Sequence, residues 1–120
     1  MSATPAVAAL DWGTTRLRAW LLDNTGNVLA ERRGDDGLIT AREKGFAKVL
    51  EGHLAAMGAS EALPVVICGM AGSRQGWIEA PYLTVPAPIG AILRGAARIE
   101  GSRRDIRIVP GLAQRLADAP

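Results

Sequence analysis

The sequence is short of cysteine and of long apolar runs, and each shortage excludes a class of protein. Its one cysteine, Cys68, stands in the apolar run 65–68. Such a run is typical of a buried strand, so neither a disulfide framework nor a metal cluster is expected. No stretch approaches the ~18 apolar residues that cross a bilayer, and residues 1–9 lack the basic start of a secretion signal. These shortages predict a protein of the reducing cytoplasm with no membrane partner.

The sequence also lacks a large excess of either positive or negative charge. The chain has 14 basic and 12 acidic residues, and its adjacent basic pairs at 32–33 and 103–104 each lie beside an acidic residue. No aromatic residues alternate with these pairs, so a nucleic acid is not an expected partner. Phosphate-binding patterns of the Walker A and Gly-x-Gly-x-x-Gly types are missing as well.

The residues that are present suit one α/β domain, because 120 residues that are 48% hydrophobic can bury a single core. Alternating apolar and polar residues predict an antiparallel three-stranded meander, with strands over 6–11, 15–22 and 28–33. A tight turn at 12–14 and the turn-forming residues 23–27 separate these strands.

A single helix is predicted over residues 41–57. Thr40 and Glu43 have the spacing of a capping box, and apolar residues recur at helical intervals after them. Gly45 weakens such a helix by about 1 kcal/mol relative to alanine. The helix would therefore need packing against the sheet to persist.

The second half of the chain predicts parallel strands added to the meander. Residues 63–68 are apolar without alternation, as in a central strand that is covered on both faces and runs parallel to the first. Residues 69–88 form a glycine- and proline-punctuated loop whose length makes it a functional candidate. A helix over 89–98 and a buried strand over 106–109 complete a mixed sheet with helices packed on it.

The junction of the first two strands is the most informative local feature. Asp11 supplies a carboxylate, Gly13 gives a flexible backbone position, and Thr14 and Thr15 add two hydroxyls. The amides of residues 13–15 could form an anion-binding concavity, and Asp11 could reach a hydrated Mg²⁺ through water. An ordinary hairpin turn, in which Asp11 and Thr14 satisfy backbone groups, fits the same spacing.

Two longer motifs resemble a known family. Residues 11–20, Asp-Trp-Gly-Thr-Thr-Arg-Leu-Arg-Ala-Trp, resemble the first phosphate motif of the sugar kinase, Hsp70 and actin superfamily. Residues 68–82, with Val-Pro at 85–86 and Val-Pro-Gly-Leu at 109–112, resemble the 2-dehydro-3-deoxygalactonokinase family. The first motif is shared by many kinases, and the ordered blocks behind it narrow the family.

The resemblance implies an α/β fold of the ribonuclease-H-like, actin-like type. It also implies transfer of the ATP γ-phosphate to 2-dehydro-3-deoxy-D-galactonate, with ATP and Mg²⁺ as cofactors. Asp11 would act as the catalytic carboxylate that positions phosphate and metal through water. The residues expected to bind the nucleotide phosphates are Gly13, Thr14, Thr15 and Arg16.

A sugar acid presents a carboxylate and several hydroxyls, which suit an arginine and amide donors on a loop. The residues expected to bind this substrate are Ser73, Arg74, Gln75, Trp77 and Glu79. Two alternatives stay open: Trp77 anchors the loop to the core, and Arg74 pairs with Glu79 instead of substrate. The general base is not assigned, and His53 is expected at the surface or boundary of its helix without a partner.

Family members have two lobes and more than twice this length. The resemblance therefore implies that residues 1–120 are the single amino-terminal lobe of a truncated two-lobed kinase. One lobe cannot close over its reactants, so the chain alone is expected to be inactive. Its uncovered apolar face would favour a homo-oligomer. The alternative function is a non-catalytic module for ligand binding or subunit association.

Overall fold

A six-stranded mixed sheet forms the centre of the computed structural model, which describes residues 4–72, 76–78, 80, 83–85, 95–109 and 112–114. The strands of this sheet and the helices packed on it are β1 (Val7–Trp12), β2 (Leu17–Leu22), β3 (Val28–Gly34), α1 (Leu38–Lys44), α2 (Phe46–Ala56), β4 (Val65–Gly69), β6 (Ala97–Arg98) and β7 (Ile106–Ile108). The strand order in the sheet is β3-β2-β1-β4-β7-β6. A 3-10 turn, Met70–Gly72, follows β4, and β5 (Leu83–Val85) pairs in parallel with β8 (Leu112–Gln114) in a separate ribbon.

The predicted meander is confirmed. β1 pairs antiparallel with β2, and β2 pairs antiparallel with β3 through a ladder that shifts register at Leu21 and Leu22. The first turn lies later than predicted, because β1 continues through Trp12 and β2 begins only at Leu17. The loop available at the first hairpin is therefore residues 13–16.

The predicted parallel strand is also confirmed. β4 runs parallel to β1, with Ala8 opposite Val65 and Trp12 opposite Gly69. β7 is parallel to β4, and β6 closes the described edge antiparallel to β7. Parallel strands end at the same edge of a sheet. The turn that follows β1 and the segment that follows Gly69 therefore leave the sheet side by side.

The core lies on one face of the sheet, beneath α1 and α2. Residues that alternate along the strands point to this face, and both helices contribute buried leucines to the same cluster. Trp12 is its largest fully buried side chain. On the opposite face Ala9 and Val66 are half-buried and Cys68 is exposed. The prediction of a strand covered on both faces was therefore wrong for this end of β4.

The single long helix predicted for residues 41–57 was wrong. The segment forms two helices that are separated at Gly45, whose φ of 99° breaks the helical path. Thr40 lies inside α1 instead of capping it, and the N-cap position is Gly37, without a side-chain cap. The capping box is not used in the fold.

Contacts from a distant turn replace the capping box. The first amides of α1, at Leu38 and Ile39, donate to the carbonyls of Gly13 and Thr14 at 3.0 and 3.3 Å. A side chain at Gly37 would lie 2.5 Å from the backbone of Thr14, so glycine permits this approach. The helix start is thus satisfied by the hairpin instead of by its own side chains.

The later predictions are met in part. The strand over 106–109 is confirmed as Ile106–Ile108. Residues 89–94 of the predicted helix 89–98 lie outside the described residues, whereas residues 95–98 form a turn and then β6, so the predicted end of that helix was wrong. No helix among the described residues is long and apolar enough to span a membrane.

Candidate active site

The β1–β2 hairpin presents an open two-residue turn. The Gly13 amide donates to the Arg16 carbonyl at 2.8 Å and closes the loop. Between them, the amides and hydroxyls of Thr14 and Thr15 have no hydrogen-bond partner among the described residues, and both threonines are exposed. The Gly13 amide is occupied, so the donors that remain for an anion come from these two threonines.

Asp11 lies beside this turn with its side chain exposed to solvent. Its neighbours in the sheet are Arg18 on β2 and Cys68 on β4. A side chain at Gly69 would lie 2.7 Å from Asp11 Oδ1, so glycine lets the end of β4 approach the carboxylate. No salt bridge to Asp11 exists in the described part of the chain. Its carboxylate is therefore available to hydrogen-bond water.

This donor set fits a hydrated magnesium nucleotide. Mg²⁺ usually keeps several waters and is held by one or two carboxylates and the substrate phosphates, not by a cage of protein ligands. The described residues contain no group of three or more metal-binding side chains. One exposed carboxylate, Asp11, lies beside amides and hydroxyls that are unpaired within the described ranges, and this arrangement suits such a nucleotide.

Cys68 lies next to Asp11 in the sheet, and its surroundings disfavour the thiolate form. The residue is exposed as a whole, but partial burial of its sulfur raises the pKa of the Cys68 thiol, and the Asp11 carboxylate raises that pKa further. The protonated thiol donates to the Leu10 carbonyl at 3.3 Å. The cysteine is therefore a satisfied neutral neighbour of the candidate site.

The segment after β4 is fastened to the core by Trp77. Its ring stacks on Phe46 with centroids 5.7 Å apart and meets the edge of Trp12 at 6.2 Å. The Trp77 amide donates to the Ala71 carbonyl at 2.8 Å. These contacts favour the anchoring interpretation of Trp77, and its predicted contact with a sugar stays a prediction.

Trp12 connects the hairpin to the entrance of α1. It is fully buried at the end of β1, and its ring lies 5.6 Å from Phe46 on α2. Its indole Nε1 donates to the Asp36 carbonyl at 3.2 Å. The aromatic cluster of Trp12, Phe46 and Trp77 therefore joins the strand end, a helix and the candidate substrate loop.

The structure brings together only some of the predicted site residues. Asp11, Gly13, Thr14, Thr15 and Arg16 share the hairpin, and Arg16 is exposed there. The remaining predicted substrate residues, Ser73, Arg74, Gln75 and Glu79, lie outside the described residues. Their roles, and the alternative pair between Arg74 and Glu79, stay predictions.

The sequence prediction for His53 was wrong. His53 is only 6% exposed and lies between two partners. Arg32 Nε donates to its Nδ1 at 2.9 Å, and its Nε2 lies 2.8 Å from Asp36 Oδ1. Because arginine only donates, Nδ1 accepts and Nε2 carries the proton donated to Asp36. One feature of the sequence could have revealed the contact with Arg32. Alternation along β3 places Arg32 on the same face as Ala30, which is the face covered by the helices.

Known proteins match the chain over nearly its whole length. A model of 2-keto-3-deoxy-galactonokinase sequences matches residues 11–120. The chain belongs to the 2-keto-3-deoxy-galactonokinase family. The matched region begins at Asp11 and contains the turn residues 13–16 and all of β2.

Relatives within the 2-keto-3-deoxy-galactonokinase family agree with this assignment. The chain is 51% identical over 115 residues to a probable 2-dehydro-3-deoxygalactonokinase of Rhizobium meliloti (strain 1021), covering 96% of this chain and 38% of that protein. It is 38% identical over 109 residues to the 2-dehydro-3-deoxygalactonokinase of Escherichia coli (strain K12), covering 91% and 36%.

A solved structure supports the fold. The crystal structure of a Sinorhizobium meliloti protein assigned as a 2-dehydro-3-deoxygalactonokinase superposes with a TM-score of 0.86 at 52% identity. The match covers 95% of this chain and 38% of that one. The α/β sheet with its two described helices is therefore the fold of this family region, and the chain spans well under half the length of these relatives.

Proposed function

We propose that this chain supplies the phosphate-binding hairpin and part of the sugar-acid site of an ATP-dependent 2-dehydro-3-deoxygalactonokinase. In this proposal residues 1–120 belong to its amino-terminal lobe, of the ribonuclease-H-like type. One observation carries the proposal: exposed Asp11 lies where two parallel strands end, beside donors of Thr14 and Thr15 that have no partner in the described part of the chain. Family membership names the chemistry that this arrangement would serve.

The hairpin residues would bind and orient the nucleotide. The amides and hydroxyls of Thr14 and Thr15 would donate to phosphate oxygens, and exposed Arg16 would add positive charge. Asp11 would accept hydrogen bonds from the water ligands of Mg²⁺. Mg²⁺, when bound, would neutralise part of the negative charge of the phosphates. Without the metal, the Asp11 carboxylate repels the phosphates, so binding at the hairpin should depend on magnesium.

The loop after β4 would bind the sugar acid. Arg74 would pair with the substrate carboxylate, and Ser73, Gln75 and Glu79 would contact its hydroxyls. Trp77 would hold the loop at the sheet edge through its stack on Phe46. Substrate and γ-phosphate would then meet above the shared end of β1 and β4.

Turnover would need the rest of a two-lobed protein. Phosphoryl transfer depends on positioning and charge stabilisation, which a closing cleft provides along with exclusion of water. We expect no measurable phosphorylation of the sugar acid by the chain alone. Self-association of the isolated lobe and a cytoplasmic location belong to the same proposal.

Calorimetric titration of the purified chain with Mg-ATP and with 2-dehydro-3-deoxygalactonate tests the proposal. Asp11→Asn should weaken Mg-ATP binding about tenfold, or about 1.4 kcal/mol, and should leave metal-free ATP binding equal or stronger. Glu100→Gln, which neutralises an exposed carboxylate on another turn, is the matched control and should change neither.

Two outcomes count against the proposal. If a demonstrably folded chain binds neither ligand, the alternative of a non-catalytic ligand-binding or subunit-association module is favoured. Phosphorylation of the sugar acid by the 120-residue chain would contradict the requirement for a second lobe.

A further inference from the structure

A cavity with positively charged walls lies between β3 and the two helices, apart from the hairpin. Its volume is about 300 Å³, and its walls include Arg32, Lys44, Lys48, Val49 and the His53–Asp36 pair. An adjoining cavity of about 430 Å³ shares Arg32, Asp36, Lys44 and His53 with it and is also lined by Arg33 and Asp35. No residue of the 11–16 hairpin lines either cavity. We infer that this groove binds a small doubly charged anion, of the phosphate-monoester or dicarboxylate class.

The cations that line the groove outnumber its carboxylates. Arg32 comes from β3, Lys44 from the last turn of α1 and Lys48 from the first turn of α2. None of the three forms a salt bridge with a carboxylate in the described ranges. The one acidic side chain in the 300 Å³ cavity, Asp36, is bonded to His53. Asp36 is thus the single carboxylate that faces three cations in this cavity, and a bound anion would reduce the remaining repulsion among them.

Arg32 is held ready for such a ligand. Its Nε bonds to His53 Nδ1, and His53, whose side chain is 7% exposed, is fixed from its other nitrogen by Asp36. The guanidinium is therefore oriented by a buried imidazole and not by a carboxylate, so this contact leaves its positive charge available to a ligand. Its terminal nitrogens keep the paired geometry that suits carboxylate or phosphate oxygens.

The shape of the groove favours a small molecule over a polymer. A volume of 300 Å³ is at the lower end of the range for small-ligand sites. Val49 supplies an apolar wall, and the cations surround one recess instead of forming an extended stripe. Asp36, whose side chain fixes His53, also accepts from Trp12 Nε1 through its carbonyl. Asp36 therefore connects the wall of the groove to the end of β1.

Amide NMR titration with inorganic phosphate, at constant ionic strength set with chloride, tests the inference. We expect saturable shifts at residues 32, 44, 48 and 52, and the same residues should respond to succinate. The double variant Lys44→Gln/Lys48→Gln should weaken the affinity for phosphate at least about tenfold, since it removes two of the three cations in the cavity. The control Arg103→Gln/Arg107→Gln removes two exposed charges elsewhere and should leave the affinity unchanged.

Separate readouts keep this inference apart from the proposed function. Phosphate binding at the hairpin would shift the amides of Thr14 and Thr15, and the lysine variant should leave those shifts intact. Equal shifts at residues 32, 44 and 48 with added chloride alone would overturn the inference. So would an equal loss in the Arg103/Arg107 control. A stronger response to phosphate than to succinate assigns a phosphate ester, and the reverse assigns a dicarboxylate.

Discussion

Asp23, in the turn between β2 and β3, shows how a single carboxylate shapes its loop. The Asn27 amide and the Thr25 hydroxyl donate to it at 2.9 and 2.8 Å, and the side-chain amide of Asn27 and the Thr25 amide add further bonds. These hydrogen bonds favour the charged form and lower the pKa of Asp23 from 3.8 to about 2. The turn therefore depends on ionised Asp23.

The sign of this shift gives a pH prediction. A pKa that is lower in the folded state adds stability that is fully present above pH 3.8 and is lost as the pH falls through about 2. Urea unfolding should therefore give the wild type a higher free energy of unfolding than Asp23→Asn at pH 6, and this difference should shrink as the pH approaches 2. A difference that stays constant down to pH 2 would contradict this assignment.

Arg104 joins α2 to the segment between α2 and β4 from a buried position. It is 5% exposed, and its Nε and Nη2 bond both carboxylate oxygens of Glu51 at 3.0 and 2.8 Å. Its Nη1 donates to the carbonyls of Ser60 and Leu63 at 2.8 and 2.7 Å. Removing the guanidinium would leave these acceptors without a partner.

We expect Arg104→Met to lower the free energy of unfolding by about 2 kcal/mol, less than for a fully buried pair because Glu51 is half exposed. Arg103→Met, at the exposed neighbouring position, should cost less than about 0.5 kcal/mol. Urea denaturation of the two variants gives both values. Equal losses would show that Arg104 has no special role in stability.

At the scale of secondary structure, the strand pattern was predictable and the helix pattern was not. Alternation along β2 and the apolar run of β4 depend on which face meets the core, and both are visible in the sequence. The break at Gly45 was not, because glycine costs a helix only about 1 kcal/mol and the capping box pointed to continuity. The cap of α1 comes from the carbonyls of Gly13 and Thr14, more than 20 residues away, which local patterns do not report.

In the candidate site, too, features made by neighbouring residues were predictable and contacts between distant residues were not. Asp11 and the two threonines form a contiguous motif, so the hairpin could be predicted from the sequence. The partners of His53 are Arg32 and Asp36, which lie 21 and 17 residues away. Their meeting depends on how α2 crosses β3. The anion groove that contains them could therefore not be predicted before the helices were placed.

The end of β4 gives a prediction for paired glycine variants. Gly69 and Gly58 both have positive φ, 94° and 75°, but only Gly69 has close neighbours: a side chain there would lie 2.7 Å from Asp11 Oδ1 and from the Trp12 carbonyl. Gly58→Ala should cost about 1 kcal/mol of stability from backbone strain alone. Gly69→Ala should cost more and should also weaken Mg-ATP binding, because it displaces Asp11.

Thermal unfolding and Mg-ATP calorimetry on both glycine variants check this prediction. The unfolding experiment separates the steric cost from the shared strain of positive φ. If Gly69→Ala loses stability but keeps full Mg-ATP affinity, the position of Asp11 does not matter for the nucleotide. If the two variants are equally stable, the close approach of β4 to Asp11 is not important.

At the scale of the whole molecule, the aromatic cluster connects the hairpin, α2 and the loop. Trp77→Leu removes both ring contacts and should lower the free energy of unfolding by about 1 to 2 kcal/mol. Trp77→Phe should keep most of the stack and most of the stability. Sugar-acid titration of both variants then separates the two roles, since an anchoring role predicts that Trp77→Phe binds nearly as well as the wild type.

The central claim is that the hairpin grips the phosphates of Mg-ATP, and amide NMR of the Thr14–Thr15 turn tests it most directly. Mg-ATP should shift the amides of Thr14 and Thr15 saturably and more than any amide of the helices, and Asp11→Asn should abolish saturation at the same concentrations. Metal-free ATP should give much smaller shifts at the turn. If Mg-ATP binds the folded chain while both threonine amides stay unmoved, the hairpin is an ordinary turn and the nucleotide lies elsewhere.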